Sequence, residues 1–153
     1  MKTLNFKIHS TKHIRLTRKV VSDMFDECNA LYFENKIERP VKFETWTPGK
    51  KILGMVRPYW IPKNKDYGAI FHISRRYQWT NENLRHVVVH EMIHLAIGDY
   101  KQPLSFIQRL PLIGRFFIVQ HNDEFITKMN EINEKYGLQI SIRFPAMKKE
   151  FIH

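Results

Sequence analysis

The run His90-Glu91-Met92-Ile93-His94 places two imidazoles and a carboxylate at a spacing suited to metal chemistry. On a helix, residues four apart lie one turn above each other, so His90 and His94 can present two nitrogens to one metal ion. Glu91 is turned by about 100° from His90. It is therefore placed to take a proton from a water bound to the ion, and not to be a ligand at the same site. The pentapeptide predicts a metal-dependent hydrolytic site.

The residues around the pentapeptide have the features of a buried helix. Thr80 or Asn81 is a candidate N-cap, and Glu82 lies where a helix N-terminus favours negative charge. Gly98 follows the last apolar residue as a C-terminal stop. A buried strand that begins at residues 87–89, with hydrogen-bonded histidines, is the alternative. A run of about fourteen residues without a turn signal exceeds the usual strand, so we predict a helix.

A catalytic zinc site uses three protein ligands and keeps one position for water. The pentapeptide supplies two, and His121, at the start of a predicted helix, is our first choice for the third. Glu124, one turn later, is the alternative ligand. His86 cannot bind the same ion together with His94, because eight residues span about 12 Å along a helix axis. His72, in a predicted strand, is interpreted as structural or as a support for the ligands.

Apolar periodicity predicts a helix from the N-cap Thr17 to about Phe33 and another from Phe125 to about Tyr136, where Gly137 ends it. Alternation with a period of two predicts strands over Val41–Trp46, Ile52–Val56, Ala69–Ile73 and Ile140–Phe144, with a turn at Pro48-Gly49. The same alternation over Leu4–Ile8 indicates a short strand or an extended arm. The order of helix, strands, buried motif helix and C-terminal helix predicts an α+β fold with a small mixed or antiparallel sheet.

Two segments interrupt this pattern. The interval Arg57–Tyr67 contains prolines and is predicted to be a loop. Its Tyr59 and Trp60 are interpreted as packing over the sheet, with stacking on a substrate or a base as the alternative. The segment Asp99–Val119 is apolar but broken by Pro103, Pro111 and Gly114. Ordinary core packing, a pair of short helices and a lid with a substrate or partner surface are the alternatives for it.

Composition favours one globular domain. The 153 residues, 43% of them hydrophobic, are enough for a core and argue against disorder. The single cysteine, Cys28, excludes an intramolecular disulfide framework and a Cys-rich zinc ribbon. It lies on the apolar face of the first predicted helix and is interpreted as a small buried hydrophobe. Any zinc ion would therefore need His and carboxylate ligands.

The expected location is the cytoplasm. The basic start of the chain develops no apolar core and no cleavage site, so we expect no secretory signal. The apolar stretch Leu110–Val119 contains Arg115 and is far shorter than the roughly twenty residues that span a bilayer. We therefore expect no membrane span.

The formal net charge of +10 raises the question of a nucleic-acid partner. Lysine and arginine are spread along the whole chain and form no single stripe. Spread charge is more typical of a solvated surface, although it also steers acidic partners. DNA is accordingly a candidate partner that charge alone does not select.

The residues His90-Glu-Met-Ile-His94 and His121-Asn-Asp-Glu-Phe125 together resemble the SprT-like, or Spartan-related, zinc metalloprotease family. That family has HExxH followed downstream by His-Gly-x-x-Phe. The segment Asn29–Ile37 resembles the family's exit from its first helix, and Ile70–Ser74 resembles its strand before the motif helix. The resemblance covers roughly residues 20–136.

The resemblance implies one zinc ion bound by His90, His94 and His121, with Glu91 as the general base. It also implies a zincin-like fold, a protein or peptide substrate, and residues 1–153 as a single SprT-like domain with an apolar insertion at about 99–119. Asn122 stands where the family has Gly, and the twenty-six residues between His94 and His121 exceed the family's usual spacing. The family's action on proteins attached to DNA is supported here by charge alone.

These residues lead to three functional hypotheses. The first is a zinc-dependent endopeptidase in which Tyr100 or Tyr67 is the oxyanion donor. The second is a zinc-stabilised DNA-binding or adaptor module with little or no protease activity. The third is a site that has lost its function, with His121 wrongly assigned as a ligand. The oligomeric state and the cleavage preference have no signal in the sequence.

Overall fold

The computed structural model describes residues 12–47, 52–101 and 121–142. The helices are α1 (Arg18–Tyr32), α2 (Asn81–Ile97), a short 3-10 helix (Asp99–Lys101) and α3 (Asp123–Tyr136). The strands are β1 (His13–Ile14), β2 (Lys42–Trp46), β3 (Gly54–Ile61), β4 (Asp66–Ser74) and β5 (Trp79–Thr80). This arrangement confirms the predicted α+β class for the described part of the chain.

The three longer strands form a mixed sheet in the order β2-β4-β3. β2 runs parallel to β4, with Phe43 opposite Phe71, and β3 runs antiparallel to β4, with Val56 opposite Phe71. The two-residue strands β1 and β5 pair separately and antiparallel. Among the described strands, β3 therefore lies at one edge of the sheet.

Helices α1 and α2 pack against one face of this sheet. Phe25 of α1 meets Phe43 and Phe71 edge-on, with ring centroids 5.4 and 5.7 Å apart. Helix α2 contacts α1, α3, β3 and β5, and its Leu84 and Val88 are fully buried. Each buried side chain of this size contributes roughly 1.5–3 kcal/mol to folding. The predicted burial of the motif helix is confirmed.

The predicted helix ends are also confirmed. The predicted N-caps accept a hydrogen bond from a backbone N–H in the first turn, Thr17 from Val20 and Thr80 from Asn83. Asn122, for which no cap was predicted, accepts the Phe125 N–H in the same way. Gly98 and Gly137 end α2 and α3 with φ of 71° and 67°. A left-handed backbone angle favours glycine because a Cβ would be strained there. Local chemistry thus sets where each of these helices begins or ends.

The predicted loop over Arg57–Tyr67 is wrong. Strand β3 continues to Ile61, β4 already begins at Asp66, and the turn is confined to residues 62–65. The prolines suggested a loop, but Pro58 lies within β3, and an edge strand tolerates a residue without an N–H donor. Tyr59 and Trp60 lie on this strand with about half of each side chain exposed.

The predicted last strand is not formed in its described part. Residues 138–142 adopt no regular secondary structure. The side chain of Asn133 bonds both the N–H and the C=O of Ile140, so both backbone groups that a strand would pair are already used. The predicted strand Leu4–Ile8, the turn Pro48-Gly49 and most of the predicted insertion lie outside the described residues.

Within the described ranges, no helix combines the length and the apolar character needed to cross a membrane.

Candidate metal centre

Three histidines from two helical regions come together. His90 and His94 lie one turn apart on α2, and His121 lies two residues before α3 begins. One ring nitrogen from each lies within 4.8 Å of those of the other two. The Nε2 atoms of His90 and His121 are 3.0 Å apart. The structure therefore brings His121, first choice for the third position, to the pentapeptide.

Phe125 packs against all three imidazoles. Its ring centroid lies 5.0 Å from that of His90, 4.5 Å from that of His94 and 4.7 Å from that of His121. Asn122 accepts the Phe125 N–H at 3.0 Å and so fixes the start of α3. Asn122, the departure from the resembled pattern, thus caps the helix that carries this aromatic ring.

The Nδ1 atoms of His90 and His94 are engaged by the protein. His90 Nδ1 donates to the backbone carbonyl of Ser141 at 2.9 Å, because a carbonyl can only accept. His94 Nδ1 lies 2.7 Å from the Asp99 carboxylate. Such partners fix the tautomer and orientation of a metal-binding imidazole. Both contacts leave Nε2 with its lone pair.

The residues fit a metal ion. Imidazole nitrogens bind zinc at about 2.0–2.1 Å, so two of them 3.0 Å apart can share one ion. Three neutral imidazoles with an open fourth position are a donor set that suits zinc. The three histidines could accordingly hold a metal ion.

The surroundings affect the three pKa values differently. Burial lowers the pKa of His90 to about 3, which keeps this ring neutral, as a ligand must be. Burial and the neighbouring His94 lower the pKa of His121. Burial also opposes protonation of His94, but the hydrogen bond to Asp99 and the charges of Glu91 and Asp99 together raise its pKa. His94 is thus the most basic of the three imidazoles.

Glu91, on α2, is buried against Gly54, the first residue of β3. Only 5% of it is exposed, and burial raises its pKa to about 7. A Cβ atom on Gly54 would lie 3.1 Å from Glu91 Cγ and 3.3 Å from Glu91 Oε1. The absence of a side chain at Gly54 lets the strand approach the carboxylate closely. A carboxyl with a pKa near 7 can accept and return a proton at neutral pH.

The remaining predicted site residues lie elsewhere. Glu124 is exposed in the first turn of α3 and is not part of the histidine group. Tyr67 is 40% exposed and meets Trp60 edge-on at 5.0 Å. Tyr100 lines a cavity of about 520 Å³ beside the C-terminal ends of α1, α2 and α3, whose described lining contains none of the three histidines. The oxyanion role of either tyrosine stays a prediction.

Asp99 and Ser141 were not predicted as parts of the site. Asp99 carried a signal, since an acidic residue directly after the helix stop Gly98 is within reach of the last helical turn. Ser141 carried none, because it acts through its backbone carbonyl and lies 51 residues from His90 in sequence. His86, one turn before His90, contacts Ser141 and is not one of the three grouped histidines.

Compared with protein-family models and with curated protein sequences, the chain matches none.

Proposed function

We propose that this protein is a zinc-dependent endopeptidase of the SprT-like type. The observation that supports the proposal is the convergence of His90, His94 and His121 beside the buried carboxyl of Glu91. Hydrolytic metal sites combine three protein ligands with a general base of this kind. His90, Glu91 and His94 come from one pentapeptide, and the fold adds His121, which lies beyond the twenty-six residues that follow His94 in the chain.

Each residue has a role in peptide hydrolysis. A zinc ion bound by the three histidines would supply an activated water and polarise the scissile carbonyl. Glu91 accepts the proton of the attacking water and donates it to the leaving amine. Its burial and its pKa of about 7 suit both steps. Ser141 and Asp99 hold the α2 imidazoles so that their Nε2 atoms stay directed to the same point.

The edge strand supports a polypeptide substrate. Among the described strands, β3 pairs only with β4, so its other edge has no strand partner within that part of the chain. Gly54, the first residue of β3, lies directly against Glu91. An extended peptide that adds to this edge would therefore pass the general base. Main-chain hydrogen bonds to a strand edge accept many sequences, which suits cleavage within protein chains.

Replacing Glu91 by Gln tests the proposal. The variant keeps the three histidines, so its zinc content, measured by elemental analysis, should equal that of the wild type. Cleavage of an unstructured protein should fall by about 10²–10⁴-fold, because the general base is lost. Glu134→Gln, an exposed change on α3, is the control and should cleave normally. Undiminished cleavage by Glu91→Gln would refute the mechanism.

A second candidate is a zinc-stabilised DNA-binding or adaptor module. The observation that favours it is the β3–β4 hairpin, whose Tyr59 and Trp60 are about half exposed beside Lys63 and Lys65. Exposed aromatic rings with lysines can stack on bases and contact phosphates. This candidate predicts salt-sensitive DNA binding that Glu91→Gln leaves intact, and no proteolysis with or without DNA.

A further inference from the structure

The side chain of Asn133 holds the backbone that follows α3. Its amide nitrogen donates to the Ile140 carbonyl at 2.8 Å, and its amide oxygen accepts the Ile140 N–H at 2.8 Å. Ile140 is itself buried, with 6% exposed. The next residue, Ser141, presents its carbonyl to His90 Nδ1 at 2.9 Å. A single asparagine is thus connected to a candidate ligand through two backbone residues.

We propose that Asn133 is a positioning residue for metal binding by His90. It acts by fixing the carbonyl acceptor that sets the orientation and tautomer of the imidazole. The inference rests on the proposed zinc centre, and it assigns a role to a residue that touches neither the ion nor the substrate.

The backbone after α3 lacks regular structure, so the Asn133 side chain is what fixes it at Ile140. Residues 138–142 lie in no helix or strand, so no ladder of backbone hydrogen bonds orients the Ser141 carbonyl. A planar amide that bonds both polar groups of Ile140 replaces such a ladder. The Ser141 N–H is also directed at His86 Nε2, at 3.4 Å. The peptide unit between Ile140 and Ser141 is therefore held on its carbonyl side by α3 and on its amide side by α2.

The position of this carbonyl bears on metal affinity. With Nδ1 donating to Ser141, His90 keeps its lone pair on Nε2, 3.0 Å from His121 Nε2. If the carbonyl moves away, the ring can rotate or take the other tautomer, which places a proton on Nε2. Loss of such a supporting partner typically lowers metal affinity by about 10–100-fold.

Asn29 offers a matched control within the same chain. Its side chain bonds the N–H and the C=O of Ile37 at 3.1 and 3.0 Å, just after α1, as Asn133 does after α3. Both of its hydrogen bonds end at Ile37 and not beside a histidine of the metal centre. Replacing either asparagine by alanine removes two equivalent side-chain hydrogen bonds to the backbone. Only the backbone held by Asn133 continues to the carbonyl that contacts His90.

The experiment compares Asn133→Ala and Asn29→Ala with the wild type. Zn²⁺ affinity is measured by competition with a chromogenic chelator, and stability of the metal-free protein by urea unfolding. Both variants should unfold at lower urea concentrations. Only Asn133→Ala should lose Zn²⁺ affinity, by about 10–100-fold. If Asn133→Ala does not fold, Asn133→Asp keeps the acceptor for the Ile140 N–H and should show the same loss in weaker form.

A second readout follows the His90 ring directly. The ¹⁵N shifts of its imidazole in metal-free protein report which nitrogen carries the proton. Wild type and Asn29→Ala should show the proton on Nδ1, and Asn133→Ala should show a mixture. Equal Zn²⁺ affinities in the two alanine variants, or an unchanged His90 tautomer in Asn133→Ala, would overturn the positioning role alone. A wild-type protein without measurable Zn²⁺ binding would overturn the proposed function and this inference together.

Discussion

His90 and His94 each use Nδ1 for a contact with the protein, which leaves Nε2 as the candidate metal-binding atom. The two acceptors differ: His90 has the neutral carbonyl of Ser141, and His94 has the carboxylate of Asp99. Burial therefore dominates at His90 and lowers its pKa to about 3, whereas the carboxylate outweighs burial at His94 and raises its pKa. A carboxylate partner also makes an imidazole a stronger donor to a metal. His90 and His94 are thus predicted to contribute unequally to the binding of a metal ion.

Unlike His90 and His94, His72 is a buried histidine outside the candidate metal centre. It is 2% exposed on β4, and neither of its ring nitrogens has a hydrogen-bond partner among the described residues. The Glu44 carboxylate lies 3.6 Å from Nδ1, and Lys42 and Arg57 are the nearby cations. Burial lowers the pKa of His72, with the two cations acting in the same direction and Glu44 against them.

We predict that His72→Leu stabilises the metal-free protein by about 1 kcal/mol at pH 7.5, because a buried ring with unsatisfied nitrogens is removed. The benefit should grow on acidification. The folded pKa of His72 is below its ordinary value of 6.5, so the unfolded state binds the proton first as the pH falls, and stability is lost. The variant lacks that loss. Urea unfolding at pH 7.5 and pH 5.5 measures both effects.

The control for this prediction is His13→Leu, because His13 is exposed in β1. It should not be more stable than the wild type at pH 7.5, because no buried ring is removed. A His72→Leu protein that is less stable than the wild type at pH 7.5, or equally sensitive to acid, would contradict the interpretation of His72 as an unsatisfied core residue.

At the scale of elements, the close approach of β3 to α2 shapes the site. We predict that Gly54→Ala impairs catalysis beyond its effect on stability. The added Cβ would meet Val87 Cγ1 at 3.0 Å and Glu91 Cγ at 3.1 Å, so either the strand or the carboxylate must move. Overpacking of this kind costs about 1–3 kcal/mol. Under the proposed mechanism, displacing Glu91 should lower the rate of substrate cleavage, measured per correctly folded variant molecule, by about 10-fold or more.

Gly68→Ala provides the comparison. Its Cβ would meet Ile61 Cδ1 at 2.9 Å and Val41 Cγ1 at 3.0 Å, which is a similar clash at a distance from Glu91. Urea unfolding should show a loss of stability in both variants, and cleavage per folded molecule should fall only in Gly54→Ala. Equal cleavage rates in the two variants would mean that β3 does not position Glu91.

The sequence predicted the elements whose signals are local. Thr17, Thr80, Gly98 and Gly137 mark helix ends by chemistry that acts within one turn, and all four predictions are confirmed. The loop predicted around Pro58 failed because tolerance of proline depends on the strand being at a sheet edge, which is a property of the assembled sheet.

In the site too, features with local sequence signals could be predicted and features that depend on the assembled fold could not. The i, i+4 spacing of His90 and His94 could be read directly from the sequence, and His121 could be named as a candidate. The support of His90 could not be predicted, because Ser141 contributes a backbone carbonyl and any residue type has one. A long-range contact made by a backbone group cannot be predicted from residue types, because every residue has a backbone carbonyl.

At the scale of the molecule, the three histidines connect parts of the chain that are far apart in sequence. An ion held by His90, His94 and His121 would bridge α2 and the start of α3. Because such a site forms only in the folded chain, metal binding adds to the stability of the fold.

We propose that these three histidines hold one metal ion, and the metal content of protein purified without added metal tests this directly. Elemental analysis should find one zinc ion per chain in the wild type and in Glu124→Gln. His121→Ala should lose most of it, because two imidazoles remain. A wild type without metal would contradict the account. So would zinc that persists in His121→Ala and disappears in Glu124→Gln.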